Sequence, residues 1–171
     1  MAGYFENSEA TQAIMTADGF MDTGDMGYWL GEELVITGRA KDLILHNGRN
    51  IWPQDIEWAA EQIGPLRSGD AAAFAVEGPD GNDDVVVLVQ CRLASPAEME
   101  ELRRKIAAVV HQTAGVDCTI VLVPPKSLPF TSSGKLSRAG AKDGYLAGGI
   151  SEISPLAQLP HHPEARLQAA Q

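Results

Sequence analysis

The stretch GRAKDLILHNGRNIWPQDIE, residues 38–57, decides the fold of this chain. It passes from Gly-Arg and a charged pair into an apolar run, turns at Asn47-Gly48, and reaches Pro53 ahead of an acidic segment. Asn-Gly is a strong hairpin signal, because both central residues of a type I′ turn need a positive φ angle. Proline suits the first position of a helix, where its missing N–H is not needed. The stretch therefore predicts a hinge, a two-stranded hairpin and a helix.

Charge is distributed unevenly on the two sides of this stretch. The chain has 171 residues and a net charge of −10, but residues 1–38 hold seven of its 23 acidic residues and none of its 13 basic ones. Such a one-sided segment is typical of a piece of a larger domain whose opposite charges lie elsewhere. We therefore expect residues 1–40 to be the C-terminal end of a large N-terminal domain, residues 41–148 to form a separate small domain, and residues 149–171 to be a flexible tail.

Helical and strand patterns alternate after the hinge. Apolar residues on one face of the segment after Pro53 predict a helix that stops at Gly64-Pro65. Residues 71–76, 85–91 and 119–123 have strand patterns, and the apolar run of the second favours a central position in a sheet. Ser95-Pro96-Ala97-Glu98 is a capping box that opens a second helix. The fold class is therefore α+β, a short sheet covered by helices. Before the hinge, a weak helix near residues 8–15 and short strands predict a strand-rich fragment.

Composition excludes several function classes. The acidic charge argues against nucleic-acid binding, which depends on Lys and Arg contacts to phosphate. No apolar run approaches the roughly 20 residues of a membrane span, and no signal-peptide pattern opens the chain. Cys91 and Cys118 lie in apolar strand patterns, so we expect buried, reduced thiols rather than a metal site or a disulfide. These features predict a cytoplasmic protein with no metal site in this chain.

A second special segment is PFTSSGKLSR, residues 129–138. Its hydroxyl groups, its glycine and Lys135 predict an exposed loop that presents a cation to an anion. The segment is not a phosphate-binding P-loop, because that motif needs Gly where Pro129 stands and Ser or Thr where Leu136 stands. Taken alone, Lys135 would be a solvated surface lysine.

Three residues near the hinge could act together with Lys135. Asp25 follows a glycine turn and could accept hydrogen bonds from two hydroxyl groups, such as those of a ribose. Arg39 offers a planar fork of donors, and Lys41 lies at the joint between the two regions. Singly, each has a simpler interpretation, as a turn-capping Asp, a surface Arg and a surface Lys. Their order along the chain favours a functional role.

Three motifs in this order resemble the last three core motifs of the adenylate-forming ligases, which include acyl-CoA synthetases, luciferases and the adenylation domains of nonribosomal peptide synthetases. The motifs are residues 22–25, residues 38–42 with Gly48, and residues 129–138. Residues 48–57, with Arg-Asn and Pro-Gln-Asp-Ile-Glu, most resemble the fatty acyl-AMP ligases. The resemblance covers about residues 3–146. It implies the mobile C-terminal domain of that fold, preceded by a fragment of the large N-terminal domain.

The resemblance also implies a reaction. Such an enzyme joins a fatty acid to ATP, releases pyrophosphate, and passes the acyl group to the phosphopantetheine of an acyl carrier protein or of a polyketide or peptide synthetase. By position in the motifs, Asp25 and Arg39 would hold the ribose hydroxyls of ATP. Lys135 would reach the carboxylate and the α-phosphate, where fixed positive charge lowers the barrier.

The same resemblance assigns two residues to domain movement. Lys41 would be the hinge about which the small domain rotates between the two steps, and Gly48 would leave room for the pantetheine arm in the second step. The adenine pocket, the acyl tunnel and the glutamate that binds Mg²⁺ would lie in the N-terminal domain, outside this sequence. We therefore expect this chain alone to form no acyl-adenylate.

Two alternatives stay open. The chain could be the same part of an acyl-CoA ligase, which shares the lysine and the hinge but uses free coenzyme A. It could also be a noncatalytic module that docks a carrier protein. The second alternative gives Asp25, Arg39 and Lys135 no joint purpose, so the enzyme interpretation is preferred.

Overall fold

Residues 3–78 and 83–153 are described by the computed structural model of the chain. The protein divides into two compact units, Met1–Leu43 and Ile44–Gln171. The boundary between the units lies three residues beyond the limit at residue 40 that the sequence predicts.

The first unit is built from short, local elements. Helix α1 spans Ser8–Ile14, strand β1 spans Asp25–Leu30 and strand β2 spans Glu33–Arg39, followed by a turn of 3-10 helix at Ala40–Asp42. The two strands pair antiparallel through a tight turn between Leu30 and Glu33. None of the described residues of this unit is buried.

The second unit holds the predicted α+β domain. Its elements in order are β3 (Ile44–His46), β4 (Arg49–Ile51), α2 (Pro53–Glu61), β5 (Ala71–Glu77), β6 (Asp83–Gln90), α3 (Pro96–Ala114), β7 (Cys118–Val123) and α4 (Arg138–Leu146). Strands β5, β6 and β7 form one sheet in that order. Strand β6 is antiparallel to β5 and parallel to β7, with α3 as the crossover. The apolar run in β6 therefore occupies the centre of the sheet, as predicted.

The Asn47-Gly48 turn confirms the predicted hairpin. Strands β3 and β4 pair antiparallel with His46 opposite Arg49, so two residues form the turn. The φ angles of Asn47 and Gly48 are 50° and 74°, the left-handed values that a type I′ turn requires. Pro53 then opens α2 at its first turn.

The sheet is buried on both faces. One face packs against α2 and α3 through Ile56, Ile106 and Val87, which are fully buried. The other face packs against α4 and the segment before it through Leu88, Leu128 and Ala141. Every buried hydrophobic residue of the described chain belongs to this second unit.

Several details differ from the sequence predictions. Helix α2 ends at Glu61, before the predicted stop at Gly64-Pro65. Helix α4 was not predicted, because its two glycines and single buried alanine give no clear apolar stripe. The predicted tail starts at residue 149, yet the Ile153 N–H donates to the Leu122 carbonyl at 2.8 Å, and the Ile150 and Ile153 side chains pack on the core. The rest of that tail, residues 154–171, lies outside the described residues.

Both cysteines are free thiols in the described structure. Cys91 is buried, as predicted, whereas Cys118 is only partly buried. Burial raises the pKa of Cys118 to about 11, so this thiol stays protonated and unreactive at neutral pH. In the part of the chain that the structure describes, no helix is both long enough and apolar enough to span a bilayer.

Candidate functional site

Lys135 lies in a tight loop whose two sides are joined by backbone hydrogen bonds. We call residues 129–138 the Lys135 loop. Phe130 and Leu136 form an antiparallel bridge across it. The Thr131 N–H donates to the Lys135 carbonyl at 2.8 Å, and the Gly134 N–H donates to the Thr131 carbonyl at 2.9 Å. These bonds fix the backbone on both sides of the lysine.

Thr131 also holds the loop through its side chain. Its Oγ1 accepts a hydrogen bond from the Lys135 N–H at 3.2 Å and lies 3.0 Å from the Ser133 Oγ. Gly134 has a φ angle of 77°, in the left-handed region, and a Cβ there would meet no atom within 4 Å. Backbone conformation, rather than crowding, therefore favours glycine at that position.

The lysine side chain itself is exposed to solvent. Within the described residues, no hydrogen bond or ion pair involves its ammonium group. The loop therefore combines an ordered backbone with a cation whose charge is not neutralised by a neighbour. This is the arrangement that the sequence predicts for a group presented to an anion.

The start of the Lys135 loop is held by a buried amide. Gln90, at the end of β6, accepts a hydrogen bond from the N–H of buried Leu128 at 3.2 Å. The Gln90 side chain donates in turn to Asp70 at 3.3 Å. Asp70 is also buried, and it accepts a hydrogen bond from the Arg67 N–H at 3.0 Å. This chain of bonds fixes the residue that precedes the loop.

The end of the Lys135 loop is held by an ion pair. The Nε of Arg138 donates to Glu57 Oε1 at 2.7 Å, and a terminal guanidinium nitrogen donates to Glu57 Oε2 at 2.6 Å. Glu57 Oε1 also accepts the Ala73 N–H at 3.0 Å, on the free edge of β5. Glu57 is buried and the Arg138 side chain is 25% exposed, so this bidentate pair is partly shielded from solvent.

Glu61, one helical turn after Glu57 on α2, also binds backbone N–H groups at and just before the edge strand β5. Its Oε1 accepts hydrogen bonds from the N–H groups of Gly69 at 2.7 Å and Ala71 at 3.4 Å. Burial raises the pKa of Glu61 above its ordinary value, although these two hydrogen bonds act in the opposite direction. The neighbouring carboxylates of Glu57 and Asp70 raise the pKa further.

The sequence did not reveal the roles of Glu57 and Thr131. Its pattern places Glu57 among the acids that suit a helix N-terminus, whereas the structure buries it against β5 and Arg138. The sequence did contain a sign that Glu57 is buried, because it falls one residue after buried Ile56 and three before buried Ala60. An acid next to an apolar stripe needs a partner, and Arg138 supplies it.

Asp25 and Arg39, the predicted ribose-binding residues, lie opposite each other in the β1–β2 pair. Their side chains form an ion pair, with 3.4 Å between Arg39 Nε and Asp25 Oδ1. Both side chains are exposed, at 56% for Arg39 and 38% for Asp25, so the pair adds little stability and stays accessible. The Asp25 N–H is held by Thr23 Oγ1 at 3.2 Å.

The remaining predicted residues lie at exposed positions. Lys41 is in the 3-10 turn at the end of the first unit, and Gly48 is at the tip of the β3–β4 hairpin. The first unit thus brings Asp25 and Arg39 together, and the second unit holds Gly48 and Lys135. Among the described residues, no group of three or more His, Cys, Asp or Glu side chains could hold a metal ion.

Sequence comparison decides the family. The sequence profile described as the AMP-binding enzyme C-terminal domain matches residues 48–140, more than half of the chain. The chain belongs to the AMP-binding, adenylate-forming enzymes. Its α+β unit is the C-terminal domain of an adenylate-forming ligase, and both Gly48 and Lys135 fall inside the matched range.

Relatives of this chain include proteins named as ligases of fatty acids. A Caulobacter vibrioides protein assigned as an acyl-CoA synthetase is 52% identical over 149 residues, which cover 86% of this chain and 26% of that protein. The medium-chain fatty acid–acyl-carrier-protein ligase JamA of Moorena producens is 35% identical over 161 residues, which cover 88% of this chain and 27% of JamA.

Solved structures agree with this family. A structure from a study of the fatty acyl-adenylate ligases of E. coli and L. pneumophila superposes with a TM-score of 0.75 at 44% identity, covering 87% of this chain and 26% of that one. The chain therefore spans about a quarter of the length of the proteins it matches.

Proposed function

We propose that this chain acts as the C-terminal part of a fatty acyl-AMP ligase. The complete enzyme would activate a fatty acid with ATP to an acyl-adenylate, release pyrophosphate, and transfer the acyl group to a phosphopantetheine thiol. The Lys135 loop is the observation that supports this proposal best, because it presents an exposed ammonium group on a backbone fixed by hydrogen bonds.

Lys135 has a chemical role in the first step under this proposal. An oxygen of the fatty acid carboxylate attacks the α-phosphorus of ATP, and the bond to the pyrophosphate oxygen breaks. Negative charge is spread over the α-phosphate oxygens in the transition state. A fixed cation placed there stabilises that charge without costly reorganisation, so Lys135 would raise kcat more than it improves substrate binding.

Asp25 and Arg39 would bind the ribose of the nucleotide. An exposed carboxylate can accept hydrogen bonds from both ribose hydroxyls, and the guanidinium beside it can donate to the same oxygens. We place the Mg²⁺ that accompanies ATP in the large N-terminal domain of the complete ligase, as the family resemblance implies.

The second step needs the cation to leave and a thiol to approach. We propose that rotation about Lys41 makes this exchange and that Gly48, which has no side chain and lies in open space, admits the pantetheine arm. The relative JamA, named for an acyl-carrier-protein substrate, favours a carrier protein as the acceptor. Comparing free coenzyme A with a phosphopantetheine-loaded carrier protein as acceptor separates this proposal from an acyl-CoA ligase.

The test of the proposal is Lys135→Ala in the full-length ligase. We expect the rate of acyl-AMP formation to fall by a factor on the order of 10² to 10³, the cost typical of losing one charge-stabilising group. Fatty-acid-dependent exchange of labelled pyrophosphate into ATP measures this rate. Lys105→Ala is the matched control, because Lys105 is an exposed lysine of the same unit, on α3, that pairs with Glu101.

Two outcomes would contradict the proposal. Unchanged acyl-AMP formation by Lys135→Ala would exclude the catalytic role and favour a noncatalytic docking module. Acyl-AMP formation by the 171-residue chain alone would contradict the assignment of the nucleotide and acyl pockets to another domain.

A further inference from the structure

The Lys135 loop is connected to the rest of its unit at two ends that differ in chemistry. At the start, the hydrogen bond from the Leu128 N–H to Gln90 is neutral. At the end, Arg138 is bound to Glu57 by two short charge-assisted bonds of 2.6 and 2.7 Å. Charge-assisted pairs are roughly twice as strong as neutral ones, so the Arg138 end is the firmer attachment.

We propose that Glu57 and Arg138 are a positioning pair that sets where Lys135 is presented to the reacting phosphate. Arg138 is the first residue of α4 and lies only three residues after Lys135. Three residues span at most about 10 Å, so a shift of the Arg138 backbone reaches the lysine with little chain to absorb it. This inference depends on the proposed role of Lys135 in adenylation.

Glu57 is well suited to define a position because its carboxylate accepts three hydrogen bonds from two partners. It projects from α2, accepts the Ala73 N–H of β5, and binds the planar guanidinium of Arg138 at both oxygens. Rotating the carboxylate away would leave the N–H of fully buried Ala73 without an acceptor, which is costly. The pair therefore links α2, the edge of the sheet and the end of the Lys135 loop.

The residues between Lys135 and Arg138 connect the positioning pair to the rest of the loop. Leu136, between Lys135 and Arg138, packs against the apolar cluster beneath α4. The Ser137 N–H donates to the Pro129 carbonyl at 3.0 Å, which joins the two ends of the loop. A displacement of Arg138 would therefore be passed through Ser137 to both ends of the loop and to the backbone that carries the lysine.

The substitution Arg138→Gln in the full-length ligase tests the proposal. We expect kcat for acyl-AMP formation to fall roughly tenfold to a hundredfold, as for a small misplacement of a catalytic group. The KM for ATP should change by less than about twofold, because the loss lies in the transition state. Transfer of a supplied acyl-adenylate to the carrier thiol, in which Lys135 takes no part, should keep its rate.

Further variants distinguish loss of the ion pair from a folding defect in Arg138→Gln. Glu57→Gln keeps an oxygen for the Ala73 N–H but loses the charge, and it should reduce kcat in the same way. Arg138→Lys keeps the charge but cannot make two parallel bonds, so it should restore little activity. The double variant Arg138→Gln/Glu57→Gln should be no slower than the slower single variant, because the two side chains act as one unit.

Arg103→Gln is the matched control. Arg103 and Arg138 are similarly exposed, at 23% and 25%, and each pairs with a glutamate, but neither Arg103 nor its partner Glu152 belongs to the Lys135 loop. We expect this variant to keep the adenylation rate. In the 171-residue chain, Arg138→Gln should speed hydrogen exchange at the amides of Gly134 and Lys135, and Arg103→Gln should not.

The outcomes separate this inference from the proposed function. If Lys135→Ala is fully active, both proposals fail. If Lys135→Ala is inactive but Arg138→Gln and Glu57→Gln adenylate as fast as Arg103→Gln, only the positioning role fails. The positioning role also fails if the variants slow adenylation and thiol transfer equally, because that result indicates general loss of structure.

Discussion

The two units of this chain are ordered in different ways. In Met1–Leu43, local hydrogen bonds define the elements: Asn7 caps α1 by accepting the Ala10 N–H at 2.9 Å, and β2 is the only described strand that pairs with β1. No described residue of that unit is buried. In Ile44–Gln171, side-chain packing on both faces of a sheet defines the elements. The same substitution should therefore have different costs in the two units.

The largest expected difference comes from one residue type placed in both units. Ile106 on α3 is fully buried, whereas Ile36 on β2 is 59% exposed. Ile106→Ala should lower the free energy of unfolding by about 2–5 kcal/mol, the usual cost of a cavity in a packed core. Ile36→Ala should change it by less than about 1 kcal/mol, since only strand propensity and partial contacts are lost. Urea unfolding of the 171-residue chain measures both, and equal losses would contradict the comparison.

A smaller effect should be shared by the two units, because it concerns backbone strain and not packing. Gly48 and Gly31 both lie in tight turns, with φ angles of 74° and 64°, and a Cβ at either would meet no atom within 4 Å. Gly48→Ala and Gly31→Ala should each weaken their own hairpin by about 1–2 kcal/mol. Asn tolerates this conformation better, so Gly48→Asn should weaken the hairpin less than Gly48→Ala. Hydrogen exchange of the strand amides measures the loss.

Similar losses in the two hairpins would support strain as the common cause. If Gly48→Ala destabilises its hairpin far more than Gly31→Ala, the Gly48 turn must depend on contacts that its open surroundings do not suggest.

The smallest expected effect is a pH dependence of stability, which arises from the partial burial of Glu61 in the second unit. The pKa of Glu61 is raised chiefly by burial, so the folded state binds its proton more tightly than the unfolded state does. The stability from this group is fully present below the ordinary pKa of a glutamate and is lost as the pH rises through the raised pKa. Glu61→Gln cannot ionise, so its free energy of unfolding should rise relative to that of the wild type as the pH increases from the ordinary glutamate pKa through the raised pKa. Urea unfolding at a series of pH values would show a constant difference if the pKa were not raised.

Local patterns allowed much of the second unit to be predicted. Asn47-Gly48 specifies its turn through backbone geometry, Ser95 specifies the start of α3 through capping, and the apolar run of β6 specifies a strand buried on both faces. Each of these signals is contained within a few consecutive residues. The sequence places Asp25 next to a glycine turn, but its pairing with Arg39 became visible only in the strand register.

Contacts between distant residues could not be predicted in the same way. Glu57 and Arg138 are 81 residues apart, and nothing in the sequence near either one identifies the other. Helix α4 was missed because its stability comes from the Ser137 cap and from Ala141 packing on the sheet, and not from its own glycine-rich sequence. Tertiary packing overrides local propensity at these positions.

Under the proposed function, Lys135 acts in adenylation and not in acyl transfer. The most direct measurement compares the two half-reactions of the full-length ligase carrying Lys135→Ala, with Lys105→Ala as the control. We predict that Lys135→Ala loses fatty-acid-dependent exchange of pyrophosphate into ATP but transfers a supplied acyl-adenylate to the carrier thiol at the control rate. Equal rates in both variants for the exchange reaction, or an equal loss in both half-reactions, would contradict the claim.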